Sequence, residues 1–108
     1  MTKVQLFDTA LQETAAVFKA LSHPARLAIL RYVAEAKVCI SGDISGELPL
    51  SRTTVHQHLT ALKKLDLIKG EIEGVKTSYC LNTNRIKVIR DNLNGFLSDI
   101  ESCTMDNC

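Results

Sequence analysis

Apolar residues recur at spacings of three and four over most of the chain, the period of helices that pack by one face. Phe7, Leu11, Thr14, Ala15 and Phe18 mark a first helix over residues 6–21, with Asp8 or Thr9 as its cap. Ser22, His23 and Pro24 interrupt the period. Ser22 suits an N-cap and Pro24 a first turn, which sets a second helix over residues 24–35 with Leu27, Leu30 and Val33 inward and Arg26 and Arg31 outward. Residues 37–40 are β-branched and read as a brief strand, and residues 41–48 as a short capped helix held by Ile44 and Leu48. Ser51 caps the next helix, over residues 51–65, whose buried stripe is Val55, Leu59 and Leu62. Two β-prone runs, 68–73 and 76–81, meet at Gly74 as a hairpin. After a turn and cap at residues 82–84, a last helix over 85–102 carries Ile86, Ile89, Leu93, Phe96, Leu97 and Ile100.

The order helix, helix, short helix, helix, hairpin, helix describes a mainly α winged helix-turn-helix with a small β-hairpin wing over 68–81, in a single domain spanning 1–108. The stripes of the first and last helices exceed what one core of this size buries. A symmetric homodimer through residues 6–21 and 85–102 is expected.

The helix at 51–65 stands out for its polar face. It has no acidic residue between Ser51 and Lys64, where a solvated helix usually interleaves Glu with Lys. Arg52 and Gln57 have the chemistry to bond guanine and adenine in two places, and Ser51, Thr53, Thr54, His56 and Thr60 offer further groups to base edges or phosphates. The orphan amides of the first turn can themselves bind a phosphate. Lys63 and Lys64 follow, and Lys76 and Thr77 sit at the wing tip, where they can lie along a phosphate backbone. A core helix with a polar outside is the plain alternative for these residues.

Composition narrows the choice of partner. The 108 residues are 45% hydrophobic and 23% charged with a net charge of +1, so the molecule as a whole is no polycation and DNA binding has to come from a local patch. Residues 51–76 hold five cations against three acids, and residues 84–108 three against four, an asymmetry of the required sign. No apolar run is long enough to span a bilayer, and the N-terminus lacks the layout of a signal peptide; no membrane partner and a cytoplasmic location are expected. Four cysteines in that compartment point to thiols, ligands or redox sensors before a disulfide framework.

Four blocks, ALSHPARLAIL (20–30), VCISGDI (38–44), LSRTTVHQHLTAL (50–62) and LIKGEIEG (67–74), together resemble the ArsR/SmtB repressors in order and spacing, with the likeness running from about Phe7 to Leu81. The resemblance implies a homodimeric repressor on a palindromic double-stranded operator, released by an inducer and requiring no cofactor. It further implies that Ser51, Arg52, Thr53, Thr54, His56 and Gln57 face DNA and that His58 is a packed helix residue.

In the arsenic-responsive branch a Cys-x-Cys precedes the recognition motif, and soft thiolates there hold trivalent arsenic. Here the first position is Cys39 and the second is Ser41, a poor ligand for a thiophilic centre. A site for arsenite or a related trivalent arsenical would need Cys39 with Cys103 and Cys108 of the tail. Buried structural Cys39 and Cys80 are the alternative, and a thiol-redox or persulfide sensor pairing Cys39 with Cys103 or Cys108 is a third. The zinc-sensing branch is disfavoured, since residues 85–102 hold no His. Nothing in the chain has the spacing of a metal hydrolase, a Gly-rich phosphate loop or a nucleophile paired with a base, so a non-enzyme is expected. The rival of another class is a winged-helix protein-interaction module with no ligand.

Overall fold

Among the described residues, each α-helix start is fixed by a side-chain cap. In the computed structural model, which describes residues 3–72 and 77–106, a short 3-10 turn at Lys3–Leu6 precedes α1 (Thr9–Ala20), whose first turn is capped by Asp8 Oδ1 accepting from Leu11 N at 2.8 Å. Helix α2 (Pro24–Ala36) is capped by His23, not by the expected Ser22: His23 Nδ1 accepts from Ala25 N at 3.0 Å, and the Ser22 hydroxyl donates backwards to Lys19 O. Ser51 caps α3 (Arg52–Lys64) as expected, its Oγ accepting from Thr54 N at 3.2 Å. Asn82 Oδ1 accepts from Arg85 N at the start of α4 (Thr83–Asp106), which runs 24 residues and outlasts the expected 85–102. Between α2 and α3 the expected short helix is a single 3-10 turn, Ser45–Glu47.

The exit from α3 sets the wing. Leu67 N donates to Leu62 O and Asp66 N to Lys63 O, a Schellman closure with Asp66 left-handed at φ 61. This turn sends the chain directly into β2 (Ile68–Glu71), which pairs antiparallel with β3 (Ser78–Leu81). Gly70 lies opposite Tyr79 at φ 122, and a Cβ there would run into the Ser78 carbonyl and approach Tyr79 Cα to 2.9 Å. The hairpin is therefore present, and residues 73–76 at its tip, with Lys76, lie outside the described residues. A third strand joins it: β1 (Ile40–Ser41) pairs antiparallel with the other edge of β3, giving the order β1-β3-β2.

The core lies between α2, α3, the sheet and the N-terminal half of α4, centred on Ile29, Leu62, Ile68 and Tyr79. On α2 the buried stripe is Ala25, Ile29 and Val33, an i, i+4, i+8 row; Leu27 is half-exposed, and Arg26, expected outward, is half-buried. On α1 the buried positions are Val17 and Ala20, so the expected stripe of Phe7, Leu11 and Phe18 remains largely in solvent. Helix α4 divides: Ile86, Ile89 and Leu93 pack on the core, while Leu97 and Ile100 beyond them are exposed. Phe18 of α1 meets Phe96 of α4 edge-on, with ring centroids 6.2 Å apart.

Candidate nucleic-acid interface

Helix α3 buries Val55, His58, Leu59 and Leu62 and turns the opposite face to solvent. Ser51, Arg52, Thr53, His56, Gln57, Lys63 and Lys64 are exposed, so the row read from the sequence lies on one accessible surface. Thr54 and Thr60 are half-buried and already engaged: Thr54 Oγ1 accepts from Ser51 Oγ in the cap, and the Thr60 hydroxyl donates to His56 O at 2.9 Å. Their part is to shape the helix as much as to offer groups to a partner.

Arg52, with 82% of its side chain exposed, stands 3.8 Å from Asp43 across the turn before α3. Such an exposed pair is weakly held and leaves the guanidinium available. The carboxyl of Asp43 is kept below its usual range chiefly by hydrogen bonds from Ser45 N and Ser45 Oγ, with Arg52 a smaller contributor. Asp43 thus braces the 3-10 turn and touches the front of α3, a role the sequence pattern did not disclose.

Two clefts flank α3. One, lined by Asp43, Arg52, His56, Thr77 and Tyr79, separates its N-terminal half from β3; the other, lined by Thr60, Lys63, Lys64 and Glu71, separates its C-terminal half from β2. Basic groups therefore stand at both ends of α3, Arg52 beside one cleft and Lys63 and Lys64 beside the other. Behind it Tyr79 is buried with a hydroxyl that has no hydrogen-bond partner among the described residues, and burial raises its pKa to about 12.

A polar cluster also fixes α3 to α2 from behind. His58 Nδ1 accepts from Arg26 Nε at 3.2 Å, Arg26 Nη1 donates to Ala20 O, and the His23 and His58 rings lie 4.6 Å apart. Burial, then the neighbouring His23 and Arg26, hold the pKa of His58 below its ordinary value. The implied role of His58 as a packed residue agrees with its burial, but its coupling to Arg26 went unread; the signal was its place three after Val55 and four before Leu62, on the buried stripe.

The cysteines meet differently from expectation. Cys39 is bonded to Cys80, with Cα atoms 4.4 Å apart, rather than joined to the tail. The cause is the β1–β3 register: Ile40 opposite Tyr79 puts Cys39 directly opposite Cys80, at the close Cα spacing of a pair that exchanges no ladder hydrogen bonds. Cys108 and the side chain of Cys103 lie outside the described residues. Among the described residues no group of three or more His, Cys, Asp and Glu is arranged to hold a metal ion, and no helix is long and apolar enough to cross a membrane.

Known proteins share this architecture. Residues 21–71 match a family model described as a helix-turn-helix domain. An uncharacterised helix-turn-helix-type transcriptional regulator of Methanocaldococcus jannaschii is 35% identical over 79 residues, covering 72% of this chain and 88% of that one. The transcriptional repressor SdpR of Bacillus subtilis is 33% identical over 84 residues, covering 78% and 89%. Among solved structures, an ArsR-like transcriptional regulator from a Rhodococcus species superposes with a TM-score of 0.69 at 22% identity over 91% of this chain and 92% of that one. The exposed polar helix, the wing beside it and these relatives lead to one conclusion: the chain belongs to the helix-turn-helix transcriptional regulators, with the winged fold of their ArsR-like members.

Proposed function

We propose that the protein is a homodimeric transcriptional repressor that binds a palindromic double-stranded operator through α3 and the wing, in the cytoplasm, with no catalytic step. The observation that carries this function is the exposed, acid-free polar row of α3, with Arg52, Thr53, His56 and Gln57 in its first turns and Lys63 and Lys64 at its end. Lys76 adds a phosphate contact from the wing. Dimerisation is supported by the unburied apolar residues of one flank: Phe7, Leu11 and Phe18 on and before α1, and Leu97 and Ile100 on α4. A second copy covering them serves both helices at once, and one domain then both reads DNA and dimerises.

Selection from a random duplex pool tests this directly. The expected product is an inverted repeat whose half-sites are centred about 10 base pairs apart, or a multiple of that. Enrichment of isolated half-sites would count against the dimer, and no enrichment against DNA reading itself.

Release by an inducer completes the function. Trivalent arsenic held by Cys39, Cys103 and Cys108 is the assignment the resemblance suggests, and it requires Cys39 as a thiolate. Cys39 bonded to Cys80 has none to offer until that bond is reduced. The disulfide therefore favours the second assignment, a thiol-redox or persulfide signal acting through Cys39. Titrating the protein on its selected duplex with arsenite, and separately with oxidant or polysulfide, distinguishes the two by which one releases DNA.

A further inference from the structure

We infer that the Cys39–Cys80 bond is a thiol–disulfide exchange site, attacked at Cys39 by low-molecular-weight thiols, whose opening releases β1 from the wing strand β3. Three observations carry this. First, the two cysteines are unequal: Cys39, in the exposed turn between α2 and β1, is an exposed residue, whereas Cys80 within β3 is half-buried. An exposed disulfide sulfur is the one a nucleophile reaches.

Second, the bond lines a cleft of about 270 Å³ with Val33, Ala34, Lys37 and Leu81, roomy enough for a small thiol. Lys37 is the charged residue of that lining. Its ammonium favours the approach of an anionic thiolate and the departure of another.

Third, beyond the core packing of Ile40, β1 is held to β3 by a short ladder. Its ladder with β3 comprises the pairs Ile40–Tyr79 and Ser41–Ser78, extended by Gly42 N donating to Thr77 O at 3.0 Å. The chain between the two cysteines, 41 positions apart, contains the turn before α3, α3 itself and β2, so the bond closes a loop around the whole DNA-facing unit. In a compartment that keeps most thiols reduced, a disulfide placed there is suited to report a change of redox state.

The chemistry balances without another reactant. A thiolate RS⁻ attacks Cys39 Sγ, the Sγ–Sγ bond breaks, and Cys80 leaves with the electron pair and takes a proton from water. A second RS⁻ attacks the R-side sulfur of the mixed disulfide, releasing RSSR and the Cys39 thiolate. Two thiols are oxidised and one protein disulfide is reduced; excess RSSR drives the reverse. The consequence for DNA rests on the function proposed above, while the exchange chemistry and the freeing of β1 do not.

The test uses the full chain with Cys103→Ser and Cys108→Ser, and glutathione with its disulfide as the probe. In this background, Cys80→Ser is expected to form the glutathione mixed disulfide at Cys39 about tenfold faster than Cys39→Ser forms it at Cys80, since access governs the rate. Reduction of the parent is expected to speed hydrogen exchange at the Gly42 amide, which the β1–β3 pairing protects. Equal trapping rates, or a Gly42 amide indifferent to reduction, would overturn the inference. On a duplex selected by the oxidised protein, reduction is expected to weaken binding about tenfold, within the usual range of coupling between two sites. Equal affinity in both states would overturn the link to regulation, whereas failure of both states to select any duplex would overturn the DNA-binding function and leave the trapping and exchange results to decide the site.

Discussion

At the scale of single residues, His58 shows how a side chain can serve α3 without touching a partner. Its Nδ1 accepts from Arg26, so the ring is neutral with its proton on Nε2, and protonation would remove the acceptor beside a guanidinium and a second histidine. Burial first, and those two neighbours after it, lower its pKa from 6.5. Between the lowered folded value and 6.5 the unfolded chain binds more protons, so the stability contributed by neutral His58 is complete above 6.5 and is lost as pH falls through the folded value. An NMR titration of the His58 ring is expected to give a midpoint below 6.5, with the melting temperature falling over the same range; a midpoint at or above 6.5 would contradict the buried, cation-flanked setting. Little of this was legible beforehand. The spacing of His58 on the Val55–Leu62 stripe disclosed its burial, but its partner lies 32 positions away on α2, and Arg26 on a helix with a misphased stripe read as an outward charge.

At the scale of elements, the helices and the hairpin were readable because each is dictated locally. Helical period and the β-prone runs need no knowledge of the tertiary fold, and Ser51 as the cap of α3 is the clearest instance, although α2 is capped by His23 in place of Ser22. The partner of Cys39 was not readable, because it depends on which edge of β3 a two-residue strand chooses. The short run at 37–40 announced a strand and nothing about its neighbour. That neighbour has an energetic consequence. Closing a loop of 41 residues constrains the unfolded chain, and reduction is expected to cost about 2–4 kcal/mol of stability. Urea unfolding of the Cys103→Ser/Cys108→Ser protein with and without a phosphine reductant measures it. An unchanged midpoint would mean that the bond leaves the folded state no better held than the ladder alone.

At the scale of the whole molecule, the exposed polar row of α3 and the unburied apolar residues of α1 and α4 are separate surfaces. The principal axes span 54 × 36 × 25 Å, an elongated body with α4 extending past the core. The apolar stripes of α1 and α4 were legible as a surplus, and part of each remains exposed in the single chain: Val17, Ala20, Ile86, Ile89 and Leu93 meet the core, while Phe7, Leu11, Phe18, Leu97 and Ile100 do not. The exposed polar row of α3 was legible through what it lacks, an acid between Ser51 and Lys64, although Asp43 across the turn supplies one carboxylate close to Arg52. We propose that α3, carried on a dimer, reads duplex DNA. The most direct test is the dissociation constant, by fluorescence anisotropy at fixed salt, of wild type and Arg52→Glu for the selected duplex, with sedimentation confirming the assembly state of each. Arg52 is exposed, so its replacement leaves the fold intact. Loss of affinity by about 100-fold with the dimer preserved is the predicted result, as expected for removing a bidentate base contact and reversing its charge. Unchanged affinity would contradict the assignment of α3 as the reading helix.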